Sequence, residues 1–205
     1  MKKLVLASSN PGKLREFESL LSPLGIEIVS QATLKVAEAE EPHGSFVENA
    51  LAKARHASRR TGLPALADDS GICVSALDGK PGVHSARFAG AAPPGAMPGR
   101  EAQDARNNEK LVALLDGKED RRAHYYCVVV LMRHPDDPEP IIAEASWAGE
   151  IVAQPRGANG FGYDPHFFLP DLGKTAAELE QGEKNLVSHR GKAMRRLLAK
   201  LKEGV

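Results

Sequence analysis

A chain of 205 residues with 42% hydrophobic and 26% charged residues is long enough for one large domain or two small lobes, and too apolar for disorder. Its 27 acids balance its 27 bases, which removes the general electrostatic attraction that nucleic-acid binding needs; an anionic partner has to be held by a local cluster. The four successive apolar residues near the N-terminus are too few for a signal-peptide core or a membrane span, and Cys73 and Cys127 sit in apolar runs without CxxC spacing. These features predict a cytoplasmic protein with buried thiols, no membrane and no nucleic-acid partner.

Leu4 to Ala7 is a strand-type run that ends in Ser8-Ser9-Asn10-Pro11-Gly12-Lys13, after which Leu14, Phe17, Leu20, Leu21 and Leu24 recur at helical spacing. Asn10 suits the helix cap and Pro11 the first turn. A strand, a small polar turn and a helix start present free N–H groups and a positive dipole end, so the segment reads as a plain cap or as a phosphate site with Lys13 adding charge. It is not a Walker A loop, because Leu14 stands where Ser or Thr is needed. Ile26 to Val29 is the next strand, and residues 36–44 form an acidic loop with Glu38, Glu40 and Glu41. The helix from Ser45 to Thr61 buries Phe46, Ala50, Leu51, Ala54 and Ala57, and carries Glu48, Asn49 and Lys53 elsewhere on its surface.

The stretch from Pro64 to Gly90 is unusual in its acids. Ala65 to Ala67 leads two consecutive carboxylates, Asp68 and Asp69, into a Ser70-Gly71 turn, and Ile72 to Leu77 resumes the apolar run. Side chains alternate along a strand, so the two acids face opposite sides and at most one serves a given site. The alternative is a turn without chemistry. Ala91 to Gly99 reads as a flexible loop, and Arg106 to Leu115 as a helix with Leu111, Leu114 and Leu115 on one face. Ala123 to Met132 and Ile141 to Trp147 form an antiparallel hairpin pattern around His134 to Pro140, with Ile151 to Ala153 extending the second strand. Between Gly157 and Pro165 the glycines run GxxGxG, not the dinucleotide order GxGxxG. There Phe161 and Tyr163 offer a flat ligand a stacking surface, or pack as an aromatic turn. Ser188 caps a last helix with Met194, Leu197, Leu198 and Leu201 on one face; Lys184, His189 and Arg190 cluster at its start.

No zinc spacing exists among the seven histidines and two cysteines, and no GxSxG or HExxH occurs. Acids in two places, phosphate-friendly helix starts, isolated bases and an aromatic-glycine loop fit a magnesium-nucleotide enzyme, because Mg²⁺ takes one or two protein carboxylates and fills its shell with phosphate oxygens and water.

Five motifs in order, LASSNPGKLREF, EEPHGSFVENALAKARHA, LADDSGICVSALDGKPGVHSARFAG, GFGYDPHFF and EKNLVSHRGKA, resemble the inosine triphosphate pyrophosphatase family over nearly the whole chain. The resemblance implies an α/β fold: an elongated mixed β-sheet flanked by helices, in two lobes of a single domain spanning residues 1–205 with a central nucleotide-binding cleft. It implies hydrolysis of ITP, dITP or XTP to the monophosphate and pyrophosphate, Mg²⁺ as cofactor, and a homodimer. By the same resemblance Ser8, Ser9, Asn10, Pro11, Gly12 and Lys13 bind the triphosphate with help from Lys53. Glu41 or its neighbour Glu40 shares the metal with Asp69, which also accepts the proton of the attacking water beside the substrate contact Ser70. Phe161, Gly162, Tyr163 and Asp164, with Lys184, His189 and Arg190, match the nucleoside positions, and Asp68 is left structural. Ser9 is a departure, where Gly is expected in many relatives, and its hydroxymethyl group would crowd the phosphate loop. The rival readings are a Maf-type pyrophosphatase for modified pyrimidine triphosphates and a non-catalytic nucleotide- or RNA-binding module.

Overall fold

The computed structural model describes residues 3–92 and 99–203; most of the loop expected at Ala91 to Gly99 lies outside the described residues. Seven strands hydrogen-bond in the order β2-β1-β3-β4-β5-β6-β7. They are β1 (Lys3–Leu6), β2 (Glu27–Ser30), β3 (Ala65–Val74), β4 (Arg122–Met132), β5 (Ile141–Ile151), β6 (Phe167–Leu169) and β7 (Lys174–Thr175). The helices are α1 (Pro11–Leu21), α2 (Phe46–Thr61), α3 (Arg100–Leu114), α4 (Gln181–Val187) and α5 (His189–Lys202). The sheet is mixed, as expected: β1 runs parallel to β2 and β3, whereas β5, β6 and β7 are antiparallel neighbours. Parallel neighbours need a crossover, and α1 and α2 supply one each.

The chain divides into two compact units. The first comprises residues 1–69, 127–145 and 185–205. Its core joins Leu4 and Leu6 of β1, Phe17 and Leu21 of α1, Leu66, the Cys127–Val129–Leu131 face of β4, alternate residues of β5, and Met194 and Leu197 of α5. Leu198 and Leu201 pack against that core, as their helical spacing requires. The second unit comprises residues 70–126 and 146–184. In it Tyr125 meets Phe167 edge-on at 4.7 Å between ring centroids, and Trp147 lies 5.3 Å from the same ring.

Local capping follows the sequence closely. Asn10 Oδ1 accepts the Gly12 N–H at 2.9 Å with Pro11 opening α1, and the Ser45 and Ser188 side chains accept from the Glu48 and Gly191 N–H groups to open α2 and α5. Elsewhere the expectations need correcting. No turn interrupts β3 at Ser70-Gly71; the strand runs unbroken through both acids because each carboxylate meets buried cationic partners there. β5 passes through Gly149 as one strand, as expected, but ends at Ile151 and not at Ala153. Asn49 and Lys53 are buried, not surface residues of α2. α3 starts six residues earlier than its apolar spacing suggests, and Leu114 is exposed while Leu111 and Leu115 are buried. Both cysteines are free thiols, with Cys127 buried.

Candidate active site

β3 sets the geometry of the first unit. Asp68 and Asp69 project to opposite faces, and each face builds its own charge cluster. On one, Asp69 Oδ1 accepts from Lys53 Nζ at 2.9 Å, and the same ammonium donates to Glu41 Oε1 at 2.8 Å. Asn49 Nδ2 lies 3.3 Å from Asp69 Oδ2 and 3.2 Å from the His43 carbonyl, while Asn49 Oδ1 accepts the His43 N–H at 3.2 Å. Asn49 therefore ties the acidic loop to α2 as well as touching Asp69. Asn49 lies inside the EEPHGSFVENALAKARHA motif, which gives it no role; the signal available is that it stands four residues from Lys53 on the same helix face. Of the two adjacent glutamates, Glu41 joins this cluster and Glu40 is exposed.

Burial lifts the Asp69 carboxyl above its ordinary range even against the Lys53 charge. Burial pulls the Lys53 ammonium the other way, but Asp69, Asp68 and Glu41 outweigh it and hold it above its usual value. The Asp69 and Glu41 carboxylates thus meet at the Lys53 ammonium.

The opposite face is balanced. Asp68 Oδ2 accepts from Lys13 Nζ at 2.9 Å and from Arg190 Nε and Nη2 at 3.2 and 3.0 Å, and Arg190 Nη1 also pairs with Glu16. Asp68, Glu16 and Arg190 are all deeply buried. Although burial opposes it, the Lys13 and Arg190 charges hold Asp68 well below the carboxylate range; burial lowers Lys13. Cys127 Sγ lies 4.0 Å from Asp68 Oδ2, and burial with that neighbour pushes its thiol up to about 12. Asp68, expected to be structural, engages two residues that the motifs assign to substrate. Glu16 lies inside the LASSNPGKLREF motif but its role is not legible there, because its partner Arg190 lies 174 residues away.

At the head of α1, Ser8 Oγ accepts the Asn10 N–H at 3.2 Å, Gly12 is buried, and Ser9 and Pro11 are exposed, which leaves the Ser9 hydroxymethyl in the open. Asn10 is buried, and its Nδ2 has no hydrogen-bond partner among the described residues. An orphaned buried donor at a helix start is what an anion would satisfy.

The second unit holds the aromatic-glycine loop. Asp164 is its hub: Oδ2 accepts the Phe161 N–H at 2.9 Å and Lys184 Nζ at 2.6 Å, and Oδ1 accepts the Tyr125 hydroxyl at 3.2 Å. Lys184 Nζ stands 4.9 Å from the centroid of the Phe161 ring. Ser70, half-buried, is the first residue of this unit. Lys184 belongs to Asp164, while Arg190 is consumed by Glu16 and Asp68, because a buried guanidinium is stable only when its charge is matched. His189 is buried at the first turn of α5.

Among the described residues no three His, Cys, Asp or Glu side chains converge on a metal position. The Glu41 and Asp69 carboxylates nonetheless fit Mg²⁺: they are hard oxygen donors brought to a common cation.

Fold and site thus define a mixed-sheet α/β protein with an acidic pair on one strand and a buried amide at a helix start that is unpartnered among the described residues. A model of the Ham1 family matches residues 4–200, and the chain belongs to that family. It is 64% identical over 203 residues to the dITP/XTP pyrophosphatase of Nitrosomonas europaea, covering 99% of this chain and 96% of the relative. With the dITP/XTP pyrophosphatase of Burkholderia pseudomallei it shares 64% identity over 201 residues, covering 98% of this chain and 94% of the relative. Among solved structures, a HAM1 protein from Coxiella burnetii superposes with a TM-score of 0.87 at 46% identity, covering the whole of both chains. The Ham1 protein of Staphylococcus aureus does so with a TM-score of 0.83 at 35% identity, again over both whole chains.

Proposed function

We propose that this protein hydrolyses the purine triphosphates dITP, XTP and ITP to the nucleoside monophosphate and pyrophosphate, removing them from the nucleotide pool. The observation that carries the reading is the buried Asp69 carboxylate sharing Lys53 with Glu41. The two dITP/XTP pyrophosphatases at 64% identity support the substrate class.

In the proposed step the water oxygen bonds to the α-phosphorus, the α–β anhydride breaks, and pyrophosphate leaves. Asp69 takes the water's proton and orients its oxygen; Asn49 and Lys53 hold that carboxylate from two sides. Glu41 and Asp69 would hold Mg²⁺, which when bound supplies the positive charge that neutralises the triphosphate. The α1 N–H groups and Asn10 Nδ2 receive phosphate oxygens at the helix start. Lys13 contributes charge there while remaining paired with Asp68. Phe161 serves the nucleoside, and the Lys184 ammonium, fixed by Asp164, donates to a 6-keto oxygen. The 6-amino group of adenine would leave such a donor unsatisfied, a penalty of about 1–3 kcal/mol.

The family resemblance supports a homodimer. The two free cysteines support a cytoplasmic site of action. No described helix is long and apolar enough to cross a membrane. Pyrophosphate release from ITP, XTP, dITP, GTP, ATP and dTTP, with and without Mg²⁺, tests the reading, and gel filtration the dimer. Preference for the purine 6-keto analogues with Mg²⁺ is expected. Orthophosphate as product, preference for dTTP, or no turnover of any triphosphate would each refute it.

A further inference from the structure

α3 presents Asp104 and Asn108 one turn apart, and both close on the same glycine. The Gly162 N–H donates to Asp104 Oδ2 at 3.0 Å, and Asn108 Nδ2 donates to the Gly162 carbonyl at 2.9 Å. Residues four apart share a helix face, so one face of α3 grips both peptide groups of Gly162. Gly162 adopts φ +65°, and a Cβ placed there would meet nothing within 4 Å; conformation, not space, requires glycine.

The consequence falls on Phe161. Its own N–H is held by Asp164 Oδ2 at 2.9 Å, and the peptide that follows it is held by Asp104 through the Gly162 N–H. With both flanking peptides pinned, the backbone dihedrals of Phe161, and so the direction of its Cα–Cβ bond from which the ring is presented, are fixed from outside. The residue after the glycine is tied to the same frame: the Tyr163 hydroxyl donates to the Ser85 carbonyl at 2.8 Å, and Asn107 of α3 donates to that carbonyl at 3.3 Å. Asn108 is only 9% exposed, and Asp104 is half-buried. Neither is assigned a role by the proposed chemistry.

We infer that Asp104 and Asn108 are positioning residues of the nucleoside subsite, clamping Gly162 so that the Phe161 ring is presented to the purine in one orientation. The inference rests on the reading that Phe161 serves the nucleoside, and the test separates the two.

KM and kcat for dITP are measured in Asp104→Ala, Asn108→Ala, Asp104→Asn, Phe161→Ala and the Phe161→Ala/Asn108→Ala double variant, with thermal melts to establish folding. Losing one clamp bond is expected to raise KM about 5- to 10-fold with kcat within about 2-fold. Asp104→Asn, whose amide oxygen still accepts the Gly162 N–H, restores KM to near the wild-type value. In the Phe161→Ala background the Asn108 change adds nothing further, since the ring it positions is gone. Should Asn108→Ala not fold, the isosteric Asn108→Asp sets a carboxylate against the Gly162 carbonyl and raises KM at least as much. Wild-type KM in the clamp variants beside a raised KM in Phe161→Ala overturns the clamp alone, as do losses that multiply in the double variant. Wild-type KM in Phe161→Ala overturns the subsite reading and the clamp with it.

Discussion

Replacing Arg190 by Met keeps much of the side-chain stem but removes a guanidinium that spans two buried carboxylates. Arg190 is 3% exposed, pairs with Glu16 and makes two bonds to Asp68 Oδ2, and its guanidinium carbon lies 6.0 Å from the Phe17 ring centroid. Removing one partner of a buried ion pair costs about 3–5 kcal/mol, because the remaining charge stays desolvated. Lys13 still compensates Asp68 at 2.9 Å, so the lower half of that range, about 3–4 kcal/mol, is expected. At about 2–4 °C per kcal/mol for a chain of this size, the melting temperature falls by about 6–15 °C. Urea unfolding followed by circular dichroism measures the change. In Glu16→Gln/Arg190→Met, one of the stranded charges is gone, and at least about 1 kcal/mol returns. The reasoning is refuted if Arg190→Met unfolds within about 0.5 kcal/mol of the wild type, or if the two substitutions add.

Asp69→Asn lowers kcat by about 10²–10⁴-fold while equilibrium binding of the triphosphate survives, read by calorimetry beside pyrophosphate release. Asp137 is buried in the loop after β4 and accepts the Arg133 and Glu139 N–H groups at 2.9 and 3.0 Å and the Arg133 guanidinium. The Arg133 side chain, outweighing burial, holds its carboxyl well below the usual range. Asp137→Asn should therefore destabilise by about 1–3 kcal/mol at neutral pH. Since the folded pKa is depressed, the wild-type advantage is complete above the unfolded value of about 3.9 and shrinks as pH falls towards the folded one, which urea midpoints between pH 7 and 2 follow. Gly160→Ala drives a Cβ into Asp164 Oδ2 at φ +77°; a loss of at least about 1–2 kcal/mol, with weakened dITP binding, is expected in melts and titrations.

Signals confined to a few neighbouring residues were legible. Asn10 and Ser188 cap where the sequence places them, and β1, β2, α1 and α2 start within a residue or two of their expected positions. What depends on distant partners was not. The DDSG run looks like a turn because the lysines and arginine that allow acids inside a strand come from residues 13, 53 and 190. β6 and β7, of three and two residues, are too short to show any period. Asn49 resembles any polar helix residue until the His43 backbone is seen against it. Asp104 and Asn108 lie 58 and 54 residues from the glycine they hold, and no motif connects them to it. The ordered motifs identified the family, yet they gave no sign of the buried Glu16 and Asp68 carboxylates that Arg190 pairs with.

The opposite outlook of Asp68 and Asp69 makes strand register a chemical variable. β3 is indexed against β1 by Val5 opposite Ala65 and Leu6 opposite Leu66. A slip by one residue would leave both acids in the strand and the composition untouched, but it would exchange the face that holds Lys13 and Arg190 with the one that holds Lys53 and Glu41. The apolar pairing at Leu66, two residues upstream of Asp68 and fully buried, is therefore what gives the second aspartate, and not the first, its place beside Lys53.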